Sequence, residues 1–345
     1  MMRAVAVLAV AALLAPPARA QMPAPQSPEP ILDSILARWR QPGLRVNALI
    51  RAFGDYQPER VARGANGFQV FEARLGIAGE LDGGWRYQLQ TGVTRSPALL
   101  DVRVGKRFSP TFLVDLGRFK ADFSREWILA ISDADFAARS SVALALAPAR
   151  QMGVQARKSA AGGRVELAAG AFNGNATHSG NDDNDLMFTG RVGVWLVKPT
   201  RGVQGGWELA VNAATSRDSN AAIGNLVSSY AGSRRLYGAE TWRRGERWMF
   251  GAEYIRAELD SAGGTRFVPE GWQGTLGYSL DADDQILLRW DVLRADRLAG
   301  DVDDLVLGWN HWPTRATQLQ FNWFVPLRDH ALDRYRVVLS VQLVL

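Results

Sequence analysis

The stretch Leu116–Arg150, LGRFKADFSREWILAISDADFAARSSVALALAPAR, interrupts an otherwise regular pattern. On either side of it the chain reads as short segments in which apolar and polar residues alternate, separated by turn residues. Here the alternation stops after Phe119 and resumes at Gln151, leaving a connection of about thirty residues, far above the usual loop length. Arg118, Lys120, Arg125 and Arg139 are interleaved with Asp122, Glu126, Asp133 and Asp135. A connection this long inside a compact chain is usually functional.

The flanking segments have a period of two. In LRVNALIRAF, Leu44, Val46, Ala48 and Ile50 share one face, and Arg45, Asn47 and Arg51 the other. Phe71, Ala73, Leu75 and Ile77 stand opposite Glu72 and Arg74. Trp85, Tyr87, Leu89 and Val93 oppose Arg86, Gln88 and Gln90. Leu100, Val102 and Val104 oppose Asp101, Arg103 and Arg107. This alternation marks strands with one apolar and one wet face. With further strands at 111–119, 151–157, 164–172, 186–197, 207–216, 234–243, 248–259, 270–280, 286–294, 304–311, 316–325 and 334–345, the total is sixteen. The segment at 234–243 is the least regular, because both of its faces are mixed.

The connections indicate the architecture. Odd-numbered links (54–67, 121–150, 173–185, 217–233, 260–269, 295–303, 326–333) are mostly long or polar. Even-numbered links such as 81–84, 109–110 and 281–285 are short, with 198–206 the exception among them and 95–98 the short one among the odd set. Short turns at one rim and long loops at the other predict an all-β fold, a transmembrane antiparallel β-barrel. Tryptophans crowd strand ends (Trp85, Trp207, Trp248, Trp272, Trp309, Trp312), as an interfacial girdle requires. A soluble β-sandwich would need neither sixteen strands nor such uniformly apolar faces. In the last strand Tyr335, Val337, Leu339, Val341 and Leu343 share the lipid face, against Arg334, Arg336, Ser340 and Gln342. The chain ends in Leu345 rather than the aromatic residue usual in a barrel-assembly signal.

The start of the chain, basic Arg3, apolar 4–15 and a small-residue ending at Ala18-Arg19-Ala20, reads as a secretory leader over 1–20. Residues 21–43 read as a Pro-rich periplasmic tail with a short helix at 31–39, and 44–345 as the barrel. Outside the leader, no apolar run reaches the ~18 residues of a transmembrane helix. The chain is 47% hydrophobic with 12 Trp and 34 Gly, and it has no cysteine, which excludes disulfides and thiol chemistry. Loss of Arg3 and Arg19 takes the formal charge from +5 to +3, too mild to indicate nucleic acid as a partner.

The first half of the barrel resembles the phosphate-selective porin O and P family. The resemblance is carried by Phe71-Glu72-Ala73-Arg74-Leu75-Gly76-Ile77 with Asp82-Gly83-Gly84-Trp85, and by Gly117-Arg118-Phe119-Lys120 with Phe123-Ser124 and Glu126. Ala147-Pro148-Ala149-Arg150-Gln151-Met152-Gly153-Val154 and Ala169-Gly170-Ala171-Phe172-Asn173-Gly174 continue it. The resemblance covers roughly 44–197; beyond that only the strand rhythm matches. It implies an outer-membrane homotrimer of sixteen-stranded pores whose inward-folded third external loop narrows the bore. Family members tend to carry Pro where Asp122 stands. The resemblance also associates phosphate selectivity with a lysine cluster and an arginine ladder, whereas this loop has the single Lys120.

In-facing arginines recur on successive strands: Arg45, Arg51, Arg74, Arg86, Arg103 and Arg107, with Arg191, Arg289, Arg334 and Arg336 later. Together with Arg118, Lys120, Arg125 and Arg139 they form a candidate anion path, because guanidinium groups pair with phosphate or carboxylate oxygens. Equally, they could solvate a watery lumen while paired to Glu72, Asp101, Asp115, Glu166, Glu208 and Asp291. The expected function is passive diffusion of small hydrophilic or anionic solutes; the alternative is a non-conducting barrel for surface binding. The oxygen-rich 173–185 loop lacks the Gly-plus-Glu pattern of a calcium loop and reads as solvated. His178, His311 and His330 fall in loops or at strand ends, where no triad is held together. No enzyme, cofactor or metal is expected.

Overall fold

Each alternating segment pairs antiparallel with its neighbours in sequence, and the ring closes where the first strand meets the last. The computed structural model describes residues 43–58, 66–94, 98–175, 180–199, 205–328 and 334–345. The strands are β1 (Arg45–Tyr56), β2 (Gly67–Leu81), β3 (Trp85–Gly92), β4 (Ala98–Ser109), β5 (Phe112–Lys120), β6 (Arg150–Ala160), β7 (Val165–Phe172) and β8 (Met187–Val197). They continue as β9 (Gly206–Ile223), β10 (Val227–Arg244), β11 (Trp248–Ser261), β12 (Glu270–Ser279), β13 (Asp284–Arg294), β14 (Val302–Thr314), β15 (Thr317–Pro326) and β16 (Arg336–Val344). The two-residue piece Arg266–Phe267 prolongs the β12 ladder along β11. At the seam, Leu49 stands opposite Val344 and Tyr56 opposite Val337. The result is a closed sixteen-strand barrel. The expected leader and tail lie outside the described residues, Gly43 excepted.

Alternation sets the two faces. On β16, Leu339 and Val341 are 52% and 50% exposed while Ser340 and Gln342 between them are buried. Exposed apolar side chains therefore mark the outer face, which needs lipid, and their neighbours mark the inner one. Aromatics line the short-turn rim: Trp248 and Tyr278 have ring centroids 4.6 Å apart, and Trp85 lies under the Lys106 ammonium.

One expected loop is not a loop. Residues 217–233 extend β9 and β10 into a hairpin closed by the turn at 224–226. Each strand runs 18 residues. At ~3.3 Å per residue that is about 60 Å, well beyond the 9–11 residues a bilayer needs. The polar composition (SRDSN) mimicked a loop because this part of the hairpin lies beyond the apolar band. Its tip folds over the long connection: Gly224 has φ +48, and a Cβ there would run into the carbonyl oxygens of Leu144 and Ala145.

The long connection contains two short helices, α1 (Arg125–Ile128) and α2 (Ser141–Leu146). Each is started by a serine: Ser124 Oγ accepts from Trp127 N, and Ser140 Oγ from Ala143 N. Val142 and Leu146 of α2 and Phe123 pack against inward-facing Ile255, Leu259 and Leu293. Phe136 packs with Phe53, Met249, Leu287, Val306 and Phe324. Each such side chain contributes roughly 1.5–3 kcal/mol when fully buried. The mixed faces of β10 follow: Leu236 points inward into the first cluster and Trp242 packs beside the second.

Candidate pore-lining site

Inward-facing polar side chains grip the backbone of the long connection. Arg51 Nη2 donates to Ala137 O at 3.1 Å, Arg289 Nη1 to Ala138 O at 3.0 Å and Gln342 Nε2 to Ser132 O at 2.9 Å. Ala137 N donates to Asn322 Oδ1 at 2.7 Å, and Ser141 N to Asp291 Oδ2 at 2.8 Å. Arg125 N donates to Glu240 Oε2 at 2.6 Å. These anchors come from β1, β10, β13, β15 and β16. The β2–β9 side is left to form chambers.

The expected arginines divide by partner. Arg74 pairs with Glu72, and Arg86 Nε donates to Asp115 Oδ1 at 3.0 Å. Arg103 lies 3.8 Å from Asp115 and over the Phe119 ring, while Arg107 lies 3.9 Å from Glu80 at the exposed rim. Arg125 pairs with Glu208 at 3.1 Å and lies over Trp242. Arg45, at the start of β1, is exposed. Arg51 is fully buried, bonded to Ala137 O and Gln320. Lys120 Nζ donates to Leu129 O at 2.7 Å and Ile128 O at 3.4 Å. Arg139 donates to the carbonyls of Glu126 and Leu129 and stacks on Trp127 at 4.9 Å. Burial lowers the Arg139 and Arg125 pKa values from the usual guanidinium range, against the opposing pull of Glu126 on the first and of Glu208 and Glu240 on the second. A guanidinium so perturbed is still charged at neutral pH.

Arg118 is a correction. Its cross-strand partner is Val102, which lies between inward Asp101 and Arg103, so Arg118 belongs to the outward register. Its Nη1 donates to Leu99 O and Leu100 O at 2.8 and 2.6 Å. Asp115 and Phe119 of the same strand are buried on the inner face, so alternation alone turns Arg118 the other way. Two arginines were missed. Arg157 binds Asp122 at 2.6 Å and Asp115 at 2.7 Å; Arg150 binds Asp101 at 3.0 Å. Arg157 could have been found, since it alternates with outward Val154 and Ala156; Arg150, at the end of the connection, obeys no period. His311 is held by Asp284 at 3.2 Å; His178 and His330 lie outside the described residues. Among the described residues no acidic or histidine group could hold a metal.

Two chambers adjoin α1 and the residues after it. The first, about 360 Å³, lies between the β1–β6 wall and residues 128–132. It is lined by Arg74, Arg103, Lys120, Arg150 and Arg157 against Asp101 and Asp122. The second, about 290 Å³, sets Arg125, Arg157 and Arg191 against Asp122, Glu166 and Glu208. They share Asp122, Ile128 and Arg157, so they lie side by side.

A closed antiparallel barrel with an apolar outer band, an aromatic rim and charged inner chambers defines an outer-membrane channel. The chain belongs to the phosphate-selective porin O and P family, whose model matches residues 47–289. It is a porin of the bacterial outer membrane and works by passive diffusion. No curated protein matches the sequence. Among solved structures it is similar to the anion-selective porin from Comamonas acidovorans, 11% identical with a TM-score of 0.66 over 88% of this chain and 99% of that one. It is likewise similar to OmpF of Salmonella typhi in complex with daunomycin, 10% identical, TM-score 0.64, over 88% and 97%. A third is OmpT of Vibrio cholerae in its trimer form, 11% identical, TM-score 0.58, over 88% and 99%.

Proposed function

We propose that this porin favours anions, with residues 121–149 acting as its constriction loop. The observation that carries the reading is the first chamber, where five cations face two carboxylates. Arg139 adds to it from the carbonyl of Leu129, between the chamber-lining Ile128 and Ala130, because a backbone carbonyl orients a cation without cancelling its charge. In a bore walled by low dielectric, modest net charge is focused and lowers the barrier for anions. The paired arginines on β2–β4 contribute less, since a carboxylate already neutralises each.

The same reading takes the outer band as the contact with outer-membrane lipid, and the assembly as a homotrimer, for which the trimer form of Vibrio cholerae OmpT offers support. No catalytic role is assigned. Residues 1–20 act as the export leader and 21–43 as a periplasmic tail; a mature chain beginning at Gln21, read by mass, tests this.

The main test is reversal potential in a salt gradient across planar bilayers. Lys120→Gln combined with Arg139→Gln shifts it toward cations. Arg118→Gln and Arg217→Gln leave it unchanged, because Arg118 lies in the outward register, Arg217 on the protruding hairpin, and screening acts over ~8 Å at physiological salt. An unshifted potential in the double variant overturns the proposal.

A further inference from the structure

We propose that the pathway takes organic anions carrying an apolar body, such as aromatic carboxylates, ahead of inorganic phosphate. The inference rests on the anion-favouring reading and deepens it. It comes from a difference between the two chambers. Cations outnumber carboxylates in the first but are matched by them in the second. The second also has an apolar side: Ile128 and Leu129, at the end of α1, together with the inward-facing Trp195 of β8. Across the same space stand Arg157 and Arg191. Arg191 spends Nε and Nη2 on Glu240 and Glu208, and no described hydrogen bond uses its Nη1. That leaves N–H donors on one side of the space and hydrocarbon on the other.

A phosphate dianion is hydrated on every side. In the second chamber it gives up water against Ile128, Leu129 and Trp195 with nothing to replace it, and no net positive charge offsets the loss. An aromatic carboxylate meets both sides at once. Its oxygens take the guanidinium N–H groups and its ring lies against Trp195 and Leu129. Acetate has the charge without the ring, so it gains the first contact only.

The experiment uses the whole protein in planar bilayers, with benzoate, acetate or inorganic phosphate added to potassium chloride and the half-blocking concentration of each recorded. Benzoate is expected to half-block at a concentration about tenfold below the other two, the worth of one ring face removed from water. Trp195→Gln and Ile128→Ser each reduce that advantage severalfold. Two substitutions on different elements guard against a single misfolded variant. Equal block by benzoate and acetate, or phosphate blocking at the lower concentration, overturns the proposal. Loss of anion preference in the salt gradient overturns the preceding reading instead, because benzoate and acetate carry the same charge and their ratio reports the apolar side alone.

Discussion

Two arcs of the same inner wall are built on opposite principles. Along β2–β6 the inward side chains include Arg74, Arg86 and Arg157, each held by a carboxylate, and Arg103, held by the Gln88 amide. Along β10–β14 they include Leu236, Ile255, Leu259, Leu293 and Val306, all buried against the long connection. The first arc is a lumen wall and the second is half of a protein core. The inside of a membrane barrel is therefore polar only where nothing packs on it. Where a segment does pack, ordinary rules of apolar burial return.

The largest effect expected from breaking this contrast is on conductance. Deleting 128–145 removes the material that covers the apolar arc and borders both chambers, so single-channel conductance should rise severalfold. An unchanged conductance in a folded barrel would mean that the segment does not obstruct the path. Next in size is a charge placed on each arc. Ile255→Arg buries an uncompensated cation and should cost about 3–5 kcal/mol. Gln88→Arg, beside the open chamber, should stay within about 0.5 kcal/mol. Urea unfolding in lipid measures both, and equal costs would erase the distinction between the arcs. Leu339→Arg supplies the lipid-side reference at ~2–4 kcal/mol for a mid-bilayer arginine.

The smallest effect concerns Asp135. Burial raises its pKa from the ordinary carboxylate range, more than Arg244 beside it lowers it. The folded chain thus holds this proton more tightly than the unfolded one. Its contribution is fully present below the unfolded value, ~3.9, and is lost as pH rises through the folded value. Stability relative to Asp135→Asn should therefore fall as pH rises above about 4. A relative stability that rose over that interval would mean that Arg244 dominates.

All sixteen strands were legible in the sequence because the outer face must be apolar at every second residue, whatever lies inside. That constraint holds for Val46, Ile50, Leu339 and Val341 regardless of what packs beneath them. It lapses at β9–β10 above the apolar band, which is why Arg217 to Ser233 looked like a loop. The inward placement of residues on regular strands was equally readable, as with Arg74, Arg86 and Arg103. Arg118 was not placed correctly, because it was grouped with the long connection, whereas alternation from inward Asp115 sets it on the other face. Nor could the sequence alone tell which arginines keep an effective charge. That depends on whether the acceptor is a carboxylate, as for Arg157, or a carbonyl, as for Arg139.

The seam between β1 and β16 has a consequence in time. Every other pairing joins consecutive strands and can form as a hairpin, whereas this one must wait until both ends of the chain are in place. Until then β1 and β16 present unpaired edges. Arg51 of β1 holds Ala137, and Gln342 of β16 holds Ser132, so the grip on the long connection comes from both sides of the seam. A ring that closed first would have to admit a folded segment through its own mouth. The order of events that avoids this has the segment already docked on β10–β14, so that the final pairing to form in the barrel is also the one that completes the hold on it.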